Sequence, residues 1–112
     1  MNIQEHTRLA DLALPYFLDD MPSETDMHEY IDDAHIDFDE DDTLHRRLAT
    51  SLGEDMADLL HNGNDEDLNW SEADTEAVRE DYYQNLDQIA LILAGRILAR
   101  IYAGPPQTEP TA

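Results

Sequence analysis

Residues Ser71 to Gly104, "SEADTEAVREDYYQNLDQIALILAGRILARIYAG", decide how the chain is read. Ser71 followed by Asp74 is a capping-box arrangement, and no proline interrupts the pattern until "GPP" at 104–106. Val78, Tyr82, Leu86, Ile89, Leu93, Ile97 and Ile101 recur at close to 3.6 residues per turn. The spacing predicts one nearly straight helix over about 71–103, of roughly 30 residues and on the order of 45 Å. Its second half, "IALILAGRILARIYAG", is apolar around most of its circumference, with Ala90, Ala94, Ala99 and Ala103 at close-approach spacings. A helix this apolar needs cover on several sides. Two arrangements supply it. One is a homodimer contact through Ile89, Ala90, Leu93, Ala94, Ile97 and Ile101; the other is a central helix wrapped by its own chain.

The rest of the chain has the same helical period, without the β-branched alternation of strands. A first helix is expected from about Ile3 to Leu18, with Leu9, Leu12, Ala13, Tyr16 and Phe17 on one face and a kink at Pro15. A second starts at a cap on Ser23 or Thr25, buries Met27, Tyr30, Ile31 and Ala34, and frays near Ile36. A third begins at Asp42 or Thr43, repeats Leu44, Leu48, Leu52, Met56, Leu59 and Leu60, and closes at Asn62 and Gly63. Gly53, mid-pattern, is expected to loosen or break it. "NGNDEDLNW" reads as a loop. The fold class is all-α: about four helices, the last one long, in a single elongated acidic domain over 1–103, followed by a tail at 104–112 expected to be disordered.

Charge narrows the function. The 112 residues hold 27 Asp and Glu against six Arg and no Lys, a formal net charge of −21. Nucleic acid and anionic membrane are poor partners for such a field, and a protein with a basic groove is a natural one. No cysteine is present, so thiolate chemistry and disulfides are excluded, which matches a reducing cytoplasm. "MNIQEHTRLADLALPYF" has polar and acidic residues where a secretory leader requires a basic start and an unbroken apolar run.

Sites for chemistry are few. From Asp65 to Glu76, "DEDLNWSEADTE" places Asp65, Asp67, Asn69 and Glu76 as in a calcium-binding EF-hand loop, but Trp70 stands where the turn calls for glycine. His28 with Asp32, and His35 with Asp39, lie one helical turn apart without a third ligand in the pattern, so no metal or cofactor is expected. Nucleophile-elbow, phosphate-loop and dinucleotide motifs are missing, and no catalytic residue is assigned. The reading is that the protein is not an enzyme.

The acids themselves remain. Twelve lie between Asp19 and Asp42 without one Arg or Lys among them. A merely solvated helix surface would normally alternate acids with bases at i+4, gaining a few tenths of a kcal/mol per pair. Asp26, Glu29, Asp33 and Asp37 are spaced as one ridge, provided the second helix extends that far, with Asp32 beside it. Neighbours on such a ridge have Cβ atoms about 5–6 Å apart, comparable with successive phosphates of a nucleic-acid strand. The candidate partner-binding set is therefore Asp19, Asp20, Glu24, Asp26, Glu29, Asp32, Asp33, Asp37, Asp39, Glu40 and Asp41, presented as phosphate surrogates. Crowding of this kind is expected to raise carboxylate pKa values.

"SETDMHEYIDDA" at 23–34 resembles the Asp-rich segment, leading into a short helix, of the Ocr antirestriction proteins of tailed phages. "ILARIY" at 97–102 resembles an Ala-Arg-Ile-Tyr stretch of their long helix. Length and helix order agree over most of residues 8 to 103. The chain departs from that family at its end, which is "GPPQTEPTA" instead of a long acidic run. The resemblance implies a DNA mimic: a homodimer joined through its helical core, occupying the DNA groove of a type I restriction enzyme or another defence machine such as a CRISPR-type complex, in the host cytoplasm. The phosphate-like residues it carries over are Asp26, Glu29, Asp32 and Asp33. Two other readings fit the composition: adaptation of an unrelated helical protein to a salty cytoplasm, and an acidic adaptor or chaperone for basic proteins.

Overall fold

The computed structural model describes residues 1–34 and 36–103. The expected disordered tail at 104–112 and the His35 half of the second His/Asp pair lie outside the described residues. Among those described the chain is helical and has no strands. It forms α1 (Ile3–Leu18), α2 (Glu24–Asp33), α3 (Leu44–His61), a 3-10 turn (Asp65–Leu68), α4 (Glu72–Arg79) and α5 (Tyr82–Ala103). The principal extents are 46 × 32 × 22 Å. No described helix is long and apolar enough to cross a membrane.

Local chemistry sets most of the boundaries. Asn2 and Glu5 form a capping box on α1, and the helix runs through Pro15 to Leu18 without a break. Ser23 caps α2 and Thr43 caps α3, each side chain accepting a backbone N–H three residues on. Asp42, the other candidate cap, instead accepts from the backbone N–H of Asp39. Ser71 and Asp74 form the expected capping box. Gly63 takes φ +76° just past the end of α3, the left-handed conformation that glycine adopts without strain. Gly53 does not break α3, whose hydrogen-bonded turns continue through it.

The helix expected over 71–103 is two helices. α4 ends at Arg79, Glu80 and Asp81 form a turn, and α5 starts at Tyr82. The backbone N–H groups of Glu80 and Asp81 bond to the carbonyls of Ala77 and Val78, three residues back, which tightens the end of α4. Asn85 completes the break from inside: buried at 4% exposure, its amide nitrogen donates to the same two carbonyls at 3.3 and 3.1 Å. Its Oδ1 faces His6 Nε2 of α1 at 2.9 Å. Since Oδ1 can only accept, His6 must carry its hydrogen on Nε2. Asp81 then stands immediately before α5, where a carboxylate meets the positive end of the helix dipole.

α5 is the central element, packed chiefly between α1 and α3. Ile89, Ala90, Leu93, Ala94 and Ile97 are buried in the core of a single chain, and Ile101 packs half-buried against it. The apolar surface these six positions were expected to lend a second copy is consumed by α1 and α3. The opposite side of α5 is less covered, with Leu91, Ile92 and Leu98 partly buried. Ala99, by contrast, is exposed.

The loop before α4 acts as a clamp on α1. Trp70, 4% exposed, donates its indole N–H to Leu9 O at 2.9 Å. Asn69, in the left-handed region at φ 62°, donates its side-chain amide to Leu12 O.

Candidate protein-binding surface

α2 places its acids by burying the opposite face. Met27 and Ile31 enter the core, which turns Glu29, Asp32 and Asp33 outward, with Asp26 partly covered. Glu24 begins the helix and is exposed, and its carboxylate pushes the Tyr102 phenol of α5 up. The expected ridge is shorter than its spacing suggested. α2 ends at Asp33 with Ala34 as its C-cap, so Asp37 belongs to the non-helical connection and does not continue the row. The reason is local: no basic side chain occupies the last turn to satisfy its carbonyls, and acids crowd the negative end of the dipole.

The remaining candidates fall into two further groups. Asp19 and Asp20 are exposed at the end of α1, just before the buried Met21. Asp37, Asp39, Glu40 and Asp41 are exposed along the link to α3, where a turn bonds Asp42 N–H to Asp39 O at 3.1 Å.

The arginines explain why these acids stay uncompensated. Arg8 meets Asp74 at 2.8 Å, Arg46 meets Asp87 at 3.1 Å, and Arg96 meets Asp11 at 3.1 Å. Arg79 donates to Leu60 O at the end of α3, and Arg47 lies over the Phe38 ring, 5.8 Å from its centroid. Five of the six arginines thus hold helices, loops and termini of the fold to one another. Among the described residues none forms an ion pair with an acid between Asp19 and Asp42. The Arg8 guanidinium, by hydrogen bond and charge, holds the Asp74 carboxyl below the usual carboxylate range.

Tertiary packing adds Asp55 and Asp58, which the sequence did not single out, and brings in Asp67, which it singled out only for an EF-hand-like spacing. The Tyr16 phenol on α1 is pushed up by burial and then by the charges of Asp67, Asp20 and Asp55, which come from three different elements. Tyr30 of α2 donates its hydroxyl to Asp55 Oδ2 of α3, and it too is pushed up, first by burial and then by that bond. Asp55 is itself raised, chiefly by burial and further by Asp58 and Asp20, with the Tyr30 bond acting in the opposite direction. Asp20 thus acts on Tyr16 together with Asp67 and Asp55, and on Asp55 together with Asp58. No local signal in the sequence marks Asp20, Asp55 and Asp67 as acting on one another's surroundings, because they lie far apart along the chain.

The EF-hand-like spacing is used for packing. Asp65 accepts the Thr75 hydroxyl at 3.0 Å, Asn69 spends its amide on α1, and Trp70 is buried. Among the described residues, no group of three or more His, Asp or Glu side chains is placed to hold a metal ion.

Fold and surface together define a small all-helical domain of strongly acidic composition. No protein-family model, curated protein or solved structure matches the chain.

Proposed function

We propose that this protein is a DNA mimic: a non-enzymatic inhibitor whose carboxylates stand in for phosphates in the DNA-binding groove of a basic host defence protein of the restriction or CRISPR type. The observation that supports it is the partition of charge. Five of the six arginines are committed to contacts between parts of the fold, while most acids of α2 and its flanking segments are exposed and, among the described residues, none of them forms an ion pair. A folded body that keeps such repulsion is suited to a cationic partner, whose lysines and arginines replace the missing counter-charges. Contacts of this kind make association fast and steeply dependent on salt.

The test is capture of partners from a bacterial lysate on the immobilised protein, with salt elution and challenge by duplex DNA. A specific basic partner should be retained at low salt and displaced both by salt and by the duplex. Retention indifferent to both would overturn the reading. Reversal of Glu29, Asp32 and Asp33 to Lys should abolish capture while the helical circular dichroism persists, because all three side chains point outward from α2. Broad retention of many cationic proteins, with no competition by DNA, would favour an acidic adaptor instead.

A further inference from the structure

A shallow groove of about 320 Å³ lies between α3 and α5, floored by Ala49, Gly53, Ala57, Leu86 and Ala90. Gly53 is the unexpected member of that floor. Glycine is, after proline, the poorest helix former, and this one sits in the interior of an 18-residue helix. Its backbone does not require it, since Gly63 is the described glycine with positive φ. Packing does not require it either. A Cβ added at Gly53 would meet Ala90 Cβ alone, at 3.7 Å, an ordinary van der Waals contact. What the missing side chain does is keep the floor of the groove open.

The walls are chemically specific. Tyr83 lines the groove and is 83% exposed, yet it has a fixed neighbour. Its ring meets Tyr82 edge to face at 5.2 Å, and Tyr82 donates its hydroxyl to Ala57 O of α3. Glu54 lines the same groove, exposed and without an ion-pair partner among the described residues. Asp87 and Arg46, also on the rim, neutralise each other. An apolar floor, an accessible aromatic face and a free carboxylate together complement a long cationic side chain. Arginine fits better than lysine: its planar guanidinium can stack on a ring while hydrogen-bonding a carboxylate, whereas ammonium is a compact and more strongly hydrated charge.

We propose that the α3–α5 groove receives one arginine side chain of the basic partner, its aliphatic stem on the Gly53 floor and its guanidinium between the Tyr83 ring and Glu54. The net charge of −21 favours such an occupant over an acidic or neutral one. The proposal rests on the reading that the partner is basic, and it adds an anchor on a face that does not include α2.

The test is an NMR titration of the full chain with an acetylated, amidated tri-arginine peptide and its tri-lysine counterpart, at moderate salt. Tri-arginine should move the Tyr83 ring and the Gly53 and Ala57 amides saturably, with lysine weaker at these positions. Tyr83→Ser should weaken arginine binding there by about two- to fivefold, the scale of an exposed cation–π contact. Gly53→Leu should occlude the floor and remove the response at Tyr83. The Tyr83 side chain is exposed, so its variant reports even where Gly53→Leu disturbs folding. Non-saturable shifts, equal response to the two peptides, or no change on Tyr83→Ser would overturn the proposal. These outcomes are independent of DNA competition. A groove that fails this test while duplex DNA still displaces the captured partner refutes the anchor alone; the converse refutes the DNA mimic alone.

Discussion

Replacing Asn85 by Ala removes the side chain that holds the α4–α5 break together. Three hydrogen bonds disappear: two donations to Ala77 O and Val78 O, and the acceptance from His6 Nε2. The two carbonyls keep partners in the backbone N–H groups of Glu80 and Asp81, so each lost bond there costs about 0.5–1.5 kcal/mol. His6 fares worse. At 7% exposure its Nε2–H loses its acceptor with little access to water, a penalty of about 1–3 kcal/mol. Alanine recovers roughly 0.5 kcal/mol through its better helix propensity. The expected loss is therefore about 1.5–5.5 kcal/mol, read as a lower midpoint in urea unfolding followed by circular dichroism and by the fluorescence of the buried Trp70. In a double-mutant cycle, His6→Ala and Asn85→Ala should couple by about 0.5–1.5 kcal/mol. A variant as stable as the parent, with additive effects and more helical signal, would show that the break is imposed by something else and that 71–103 tends towards one helix.

Asp55→Asn tests the half-buried carboxylate beside Tyr30. Burial raises the Asp55 carboxyl in the folded state, so that state holds its proton more firmly than the unfolded chain, and this group's contribution to stability falls as pH rises from the ordinary carboxylate value through the raised one. Asp74 runs the other way: its Arg8-supported contribution is present above the ordinary value and lost as pH falls through the lowered one. In urea midpoints measured from pH 3 to 8, Asp55→Asn should flatten the decline on the alkaline side and leave the acid limb intact; an unchanged alkaline limb would refute the assignment. Gly53→Ala should stabilise the fold by about 0.5–1 kcal/mol, because the new methyl fits beside Ala90 and helix propensity improves. A loss of stability there would mean that α3 and α5 need the glycine after all.

The all-helical class, the cap at Ser71, the close of α3 near Gly63 and the core stripe of α5 were legible in the sequence, because helical period and capping are local properties; for α2 and α3 the sequence offered two caps each, and the structure uses Ser23 and Thr43. Breaking the last helix was not. Val78, Tyr82, Leu86 and Ile89 keep their register across Glu80 and Asp81, and the residue that fixes the turn is bonded to His6, 79 positions away. The sequence also determined that there are too few basic residues to neutralise the acids. Only tertiary structure decided where those few go, since Arg8–Asp74 and Arg96–Asp11 join residues far apart in the chain. It decided as well that the apolar face of α5 is covered by α1 and α3, and that Asp20, Asp55 and Asp67 meet around Tyr16. Periodicity reports which side of a helix avoids water. What covers that side, and which charges from other elements become neighbours, is settled when the helices pack.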